Sequence, residues 1–325
     1  MEQTASREIN YLRISITDRC QLRCFYCTYW QDWQKLPPGE ILSYEELLRV
    51  AGIAAKLGIR KVRVTGGEPL VRRGIVSFIR SLHKVPGIEE VCLTTNGVRL
   101  QELAPDLYEA GLRHLNLSLD TLKRDRYRDI TGRDNLPAVL AGLELADSLG
   151  FHPLKINCVV LKGINEDELL KIALLAKEHP FQVRFIELMP TISGDRWTRH
   201  YLPMSQVRRH LAALGPLKPL SQNRTAGPAR IFRLAGFRGE LGFISPMSEH
   251  HCATCNRLRL TAAGKLKPCL LSSSEIDLKG PLRQEVHDNF LAYLFHEAIH
   301  LKALKAGFPF PPQSLLGQSM VSIGG

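Results

Sequence analysis

The chain has 325 residues, 44% of them hydrophobic, with 43 Lys+Arg against 32 Asp+Glu and a formal net charge of +11. That length suits one large domain with an appendage or two moderate domains, and the apolar content is enough for a packed core. No apolar run reaches bilayer length and the opening MEQTASREIN has no apolar signal segment, so a cytoplasmic protein without a membrane partner is expected. The basic residues form no dense block. They read as diffuse solubilising charge, with nucleic acid, an anionic membrane surface or a polyanionic small molecule as the sharper alternatives.

Strand-like and helix-like segments alternate through the first 189 residues. Strands are predicted at 11–17, 61–65, 90–95, 114–119, 154–160 and 182–188. Helices are predicted at 43–57, 73–85, 101–110, 136–149 and 166–178, the first opened by Ser43 with Glu46 as a capping box. The strands read as near-continuous apolar runs under a covering of helices. Repeats of this kind imply parallel β/α units. Six of them suggest an α/β fold, a partial (β/α)6 TIM-like barrel, with a flat doubly wound sheet as the competing geometry. Beyond Pro190 the pattern breaks into loops, a helix near 205–213, a hairpin of 231–235 with 240–245, and a helix over 284–305. A smaller C-terminal domain is therefore expected at 190–325, after a barrel at 1–189.

The distinctive polar residues cluster just after the strands, where parallel α/β folds build their sites. Eight cysteines are present, and without a secretory signal they argue against disulfides. Cys92 and Cys158 lie alone in apolar runs and read as small buried hydrophobes. Cys20, Cys24 and Cys27 stand together after the first strand. Three thiolates can hold a [4Fe–4S] cluster with one iron left open, and no second pair close by completes a zinc site. Arg19 and Arg23 are expected to lower the thiol pKa values. Gly66-Gly67-Glu68-Pro69 follows the second strand, its glycines allowing close approach of backbone to a ligand.

Cys-x3-Cys-x2-Cys followed by GGEP resembles the radical S-adenosylmethionine superfamily. The resemblance implies that S-adenosylmethionine chelates the open iron and is cleaved reductively to a 5′-deoxyadenosyl radical. It implies cosubstrate contacts at Tyr26, Gly66, Gly67, Glu68, Thr95, Asn96, Ser118 and Met189.

Cys252-x2-Cys255-x13-Cys269 forms a second group of three. On spacing alone a second cluster and a zinc site completed by His250 or His251 are equal candidates. HCATCNRLRLTAAGKLKPCL resembles the GTP 3′,8-cyclase family of molybdenum cofactor biosynthesis, as do YLRISITDRCQLRCFYC, RDITGRDNL, KINCVVLKGIN, VRFIELMP and the terminal SIGG. That family implies a second [4Fe–4S] cluster on Cys252, Cys255 and Cys269 and GTP as substrate, contacted by Arg13, Arg63, Lys155, Arg257 and Arg259. Arg13, Arg257 and Arg259, with Gly324 and Gly325 of the tail, are the implied catalytic set. A flavodoxin- or ferredoxin-type donor is implied, with a cyclic pyranopterin monophosphate synthase consuming the product, no nucleic-acid partner, and room for a homodimer. Where the family continues its third cysteine with Met-Pro, this chain has Thr28, Tyr29 and Trp30. A peptide-modifying radical enzyme with an auxiliary cluster predicts a peptide groove instead of a triphosphate pocket. A zinc-containing nucleic-acid-binding protein predicts neither iron nor cosubstrate cleavage.

Overall fold

The computed structural model describes residues 8–27, 34–191, 194–221, 227–249, 254–304 and 320–323. Six β/α units come first: β1 (Tyr11–Ser15), α1 (Tyr44–Lys56), β2 (Lys61–Thr65), α2 (Ile75–Leu82), β3 (Glu90–Thr95), α3 (Leu100–Glu109), β4 (His114–Ser118), α4 (Arg124–Thr131), α5 (Leu136–Ser148), β5 (Leu154–Val160), α6 (Leu169–Glu178) and β6 (Gln182–Glu187). Ser43 caps α1 as expected, its hydroxyl accepting from Glu46 N at 3.1 Å while the Glu46 carboxylate accepts from Ser43 N at 2.6 Å.

After β6 come α7 (Gly194–His200), α8 (Met204–Leu211), β7 (Lys218–Pro219), β8 (Arg230–Arg233), β9 (Glu240–Ile244), β10 (Arg257–Leu260), β11 (Lys265–Lys267), β12 (Ile276–Asp277), α9 (Lys279–Arg283), α10 (Asp288–Leu304) and α11 (Met320–Ile323). One sheet runs in the order β12-β11-β10-β1-β2-β3-β4-β5-β6-β9-β8-β7. Strands β1 to β6 are adjacent in sequence order and all parallel. With right-handed crossovers, a strictly sequential order puts every helix on one face, and a sheet covered on one face curls. A doubly wound sheet requires a reversal of strand order that is absent here. The fold is thus the partial barrel. β9 and β10 lengthen the parallel arc, pairing with β6 and β1 respectively. Residues beyond 190 therefore continue the same sheet at both edges.

The strands alternate instead of being apolar throughout. Leu12, Ile14, Val62, Val64, Leu115, Leu117, Ile156, Val183, Leu258 and Leu260 are at most 0% exposed, packed under the helices. Each such side chain contributes about 1.5–3 kcal/mol by leaving water. The alternate positions carry Arg13, Arg63, Asn116, Lys155, Arg184 and Arg259 on the concave side. Period two thus separates a hydrocarbon layer from a polar cavity wall. The isolated cysteines are both fully buried, as expected; Cys92 donates to Glu90 Oε1 at 3.0 Å and Cys158 to Asp120 O at 3.7 Å.

Candidate active site

The arc encloses a cavity of about 400 Å³. Arg13, Cys20, Cys24, Tyr26, Cys27, Arg63, Gly66, Gly67, Glu68, Thr95, Asn96, Ser118, Lys155, Met189, Cys255, Arg257, Arg259 and Cys269 all line it. Every expected site residue within the described residues therefore borders one space. Cys252, Gly324 and Gly325 lie outside the described residues, as do His250, His251, Thr28, Tyr29 and Trp30.

The first cysteine group occupies the loop after β1. Cys27 N donates to Cys24 O at 3.0 Å, tightening the turn between those two. The neighbouring segment fastens the loop: Arg23 N donates to Thr131 O and Phe25 N to Ile130 O. The thiol pKa values run opposite to the expectation from Arg19 and Arg23. Burial, then Glu68, pushes Cys20 up to about 12; burial, then Cys20 and Asp120, pushes Cys27 to about 12. Cys24 is raised by burial and then by Cys27. Both arginines are exposed, so solvent screens them while the sulfurs sit in low dielectric. A bound metal centre deprotonates coordinating thiols outright, which is how such a group becomes a set of thiolates. Among the described residues, only Glu90, Cys92 and His114 bring three donor atoms within 4.8 Å of one another.

The glycines of GGEP border the cavity and also meet a need within the protein. A Cβ on Gly67 would stand 2.4 Å from Arg19 O, and one on Gly66 2.8 Å from Thr17 O. The close approach is between two loops. Gly67 N donates to Thr17 O at 2.7 Å and Glu68 N to Arg19 O at 2.8 Å, so GGEP splints the cysteine loop. The buried Glu68 carboxylate accepts from Thr95 Oγ1 at 2.7 Å, Asn96 N at 2.7 Å and Leu70 N at 2.9 Å. Burial nonetheless raises its pKa to about 7. Asn96 Nδ2 in turn reaches Cys20 Sγ at 3.6 Å. Tyr26 donates to Asp120 at 2.5 Å, and burial raises Asp120 to about 6.

Arg257 and Arg259 alternate along β10, directly beside β1, where Arg259 is in register with Arg13. Burial, then Arg259, drives the Arg13 pKa well down; burial, then Arg257, brings Arg259 to about 10. Cys255 is the contrasting thiol. Burial pushes it up, but Arg257 and Lys302 together bring it down to about 6. Cys269 faces the same space from the loop after β11.

Residues that sequence reasoning missed complete the wall. Lys61 and Arg184 add two cations, and Lys302 enters from α10. Burial, then Arg184, Arg63 and Lys61, lowers Lys155 to about 7. Burial, then Arg63, lowers Arg184 to about 10. Period two in KVRVT and QVRFIE held the signal for Lys61, Arg63 and Arg184. Asn116 Oδ1, Asn157 Oδ1 and Ser245 Oγ are buried on this wall without a hydrogen-bond partner. The orphaned amide oxygens suit a ligand bearing O–H or N–H donors, and the crowded cations suit one that is also multiply anionic. At the end of β6, Glu187 accepts from Met204 N at 2.7 Å, Met247 N at 2.9 Å and Ser248 N at 3.0 Å, tying down the loop ahead of Cys255.

Residues 14–176 match the model of the radical SAM superfamily, and residues 181–308 that of Molybdenum Cofactor Synthesis C. A GTP 3′,8-cyclase from Moorella thermoacetica is 49% identical over 302 residues, covering 93% of this chain and 94% of the relative. One from Geobacter sulfurreducens is 42% identical, covering 98% of each. Among solved structures, SuiB from Streptococcus suis bound to S-adenosylmethionine has a TM-score of 0.61 at 14% identity, covering 97% of this chain and 72% of that one. At that identity the likeness is one of fold.

Proposed function

Because the chain belongs to the GTP 3′,8-cyclase family of radical S-adenosylmethionine enzymes, we propose that its cavity holds S-adenosylmethionine beside Cys20, Cys24 and Cys27 and GTP against the arginines of β1 and β10. The reaction removes the ribose 3′ hydrogen of GTP and joins C3′ to C8, giving 3′,8-cyclo-7,8-dihydro-GTP for molybdenum cofactor biosynthesis. A [4Fe–4S] cluster on the first cysteine group supplies, when bound, the electron that cleaves S-adenosylmethionine to methionine and the 5′-deoxyadenosyl radical.

The protein's own part is orientation and shielding. GGEP holds the cysteine loop in place, and Glu68, Thr95, Asn96 and Ser118 present polar atoms to the cosubstrate. Tyr26 and Met189 pack at its flank. Lys61, Arg63, Lys155 and Arg184 offer the triphosphate a cationic floor, while Arg13, Arg257 and Arg259 face the nucleoside. Cys255 and Cys269, with Cys252, carry a second [4Fe–4S] cluster on the substrate side. In this scheme residues 1–189 hold the cosubstrate and supply part of the substrate wall, while 190–325 supply the rest of that wall and the second cluster, with Gly324 and Gly325 ordering the arginines. A flavodoxin or ferredoxin supplies electrons, a cyclic pyranopterin monophosphate synthase takes the product, and the setting is cytoplasmic. Among the described residues no helix is long and apolar enough to cross a membrane.

The observation that carries this proposal is that Cys20, Cys24 and Cys27 open onto the same cavity as Cys255 and Cys269, with Arg13, Arg257 and Arg259 on the shared wall. The test is anaerobic turnover with GTP and S-adenosylmethionine, measuring 5′-deoxyadenosine and cyclised nucleotide together. Deoxyadenosine without a GTP-derived product would refute the substrate assignment. A reconstituted chain holding about eight irons supports two cubanes, whereas about four irons plus zinc refutes the second.

A further inference from the structure

Lys302 lies on α10, only 5% exposed, and borders the cavity. Its Nζ donates to Cys255 Sγ at 3.3 Å and to Pro268 O at 2.9 Å. Pro268 immediately precedes Cys269. One buried ammonium therefore touches both arms of the second cysteine group, which are separated in sequence by β10 and β11. An ammonium has three donors and no acceptor, so it selects sulfur as thiolate and carbonyl oxygen as its companions. Nothing about α10 requires a lysine here: Leu291, Phe295 and Ala298, also buried on this helix, already anchor it with hydrocarbon. A buried charge spent on a sulfur and on the backbone beside a second sulfur points to a role at those sulfurs.

We propose that Lys302 is a positioning residue of the second cysteine group, holding the Cys255 and Cys269 arms in register and, by donating to a ligand sulfur, favouring the more electron-rich state of the iron–sulfur centre they carry. The role rests on the second-cluster assignment made above. Hydrogen bonds to ligand sulfurs and local net charge are established determinants of cluster potential. A cation fixed on Cys255 stabilises added negative charge and draws the midpoint upward. It leaves the cluster on Cys20, Cys24 and Cys27 untouched, because among the described residues the Lys302 ammonium is hydrogen-bonded to Cys255 and Pro268 and to neither that loop nor GGEP.

The experiment compares full-length wild type, Lys302→Met and Lys302→Arg, each reconstituted anaerobically and assayed for iron and zinc. Redox titrations followed by electron paramagnetic resonance then assign midpoints, the first cluster being identified by its response to S-adenosylmethionine. The expected result is a more negative midpoint for the second cluster in Lys302→Met, a value near wild type in Lys302→Arg, and an unmoved first cluster in both. Selective loss of the second iron set in Lys302→Met, restored in Lys302→Arg, supports the positioning role equally. Two clusters in every protein with unmoved second-cluster midpoint and g-values overturn the proposal alone. Equal loss of iron from both clusters in Lys302→Met also overturns it, since that is general destabilisation. Zinc in place of the second iron set in wild type overturns the second-cluster assignment together with it.

Discussion

Lys155 gives the most quantitative handle on the cavity. It is 9% exposed, and burial with Arg184, Arg63 and Lys61 lowers its pKa from 10.5 to about 7. That depression means the folded cavity disfavours the ammonium by about 5 kcal/mol. The folded-state value is the lower one, so the penalty is full below pH 7 and disappears as pH rises toward 10.5. Lys155→Met should therefore raise the melting temperature of the ligand-free protein, most at pH 7 and least near pH 10. A triphosphate supplies the missing counter-charge and restores the ammonium, so binding takes up a proton above pH 7. GTP affinity should then fall as pH climbs from 7.5 to 9. A hydrogen bond to a charged group is worth about 1.5–3 kcal/mol, so Lys155→Met should weaken GTP binding by about 10- to 150-fold. Lys155→Arg should keep the affinity and lose the pH slope. Calorimetric titration of GTP into the anaerobic holoprotein without S-adenosylmethionine reads affinity, proton uptake and slope. Unchanged affinity and slope in Lys155→Met, with a lower melting temperature, would refute the assignment of Lys155 to the triphosphate.

Three further outcomes are expected. Gly67→Ala places a methyl 2.4 Å from Arg19 O, so 5′-deoxyadenosine formation should fall more than about 10-fold while GTP binding, followed by calorimetry, stays near wild type. Cys269→Ser should lower the iron content from about eight to about four per chain and leave cosubstrate cleavage running without cyclisation, read by iron assay and product chromatography. Glu187→Ala strands the N–H groups of Met204, Met247 and Ser248, so thermal melting should show a loss of about 2–4 kcal/mol, with Glu187→Gln milder.

The barrel was legible because its units carry local signals: the Ser43 and Glu46 box, amphipathic helices, and short strands between them. The cysteine spacings and GGEP marked where chemistry gathers. α4 escaped because RDRYRDIT is almost wholly polar, burying only Tyr127, Ile130 and Thr131. What escaped at β10 was its place in the sheet. Its partner is β1, and no local periodicity in RLRL records that residue 257 will lie beside residue 11. Alternation in KVRVT does reveal two faces, but a lysine and an arginine on a strand normally mark the solvent side. Only closure of the sheet turns that side inward and makes Lys61 and Arg184 cavity residues. Lys302 is the extreme case, a cation in an apolar helix whose target sulfur lies 47 positions earlier.

The junction of β1 with β10 also bears on biosynthesis. Roughly 200 residues separate β2 from the strand that covers the other edge of β1, which at ~5–20 residues per second is about 10–40 s of ribosome time. During that interval the N-terminal strand, which leads into the loop carrying Cys20, Cys24 and Cys27, has one edge without its partner strand. The edge of β1 beside the earliest thiols is thus completed only by the last third of the polypeptide.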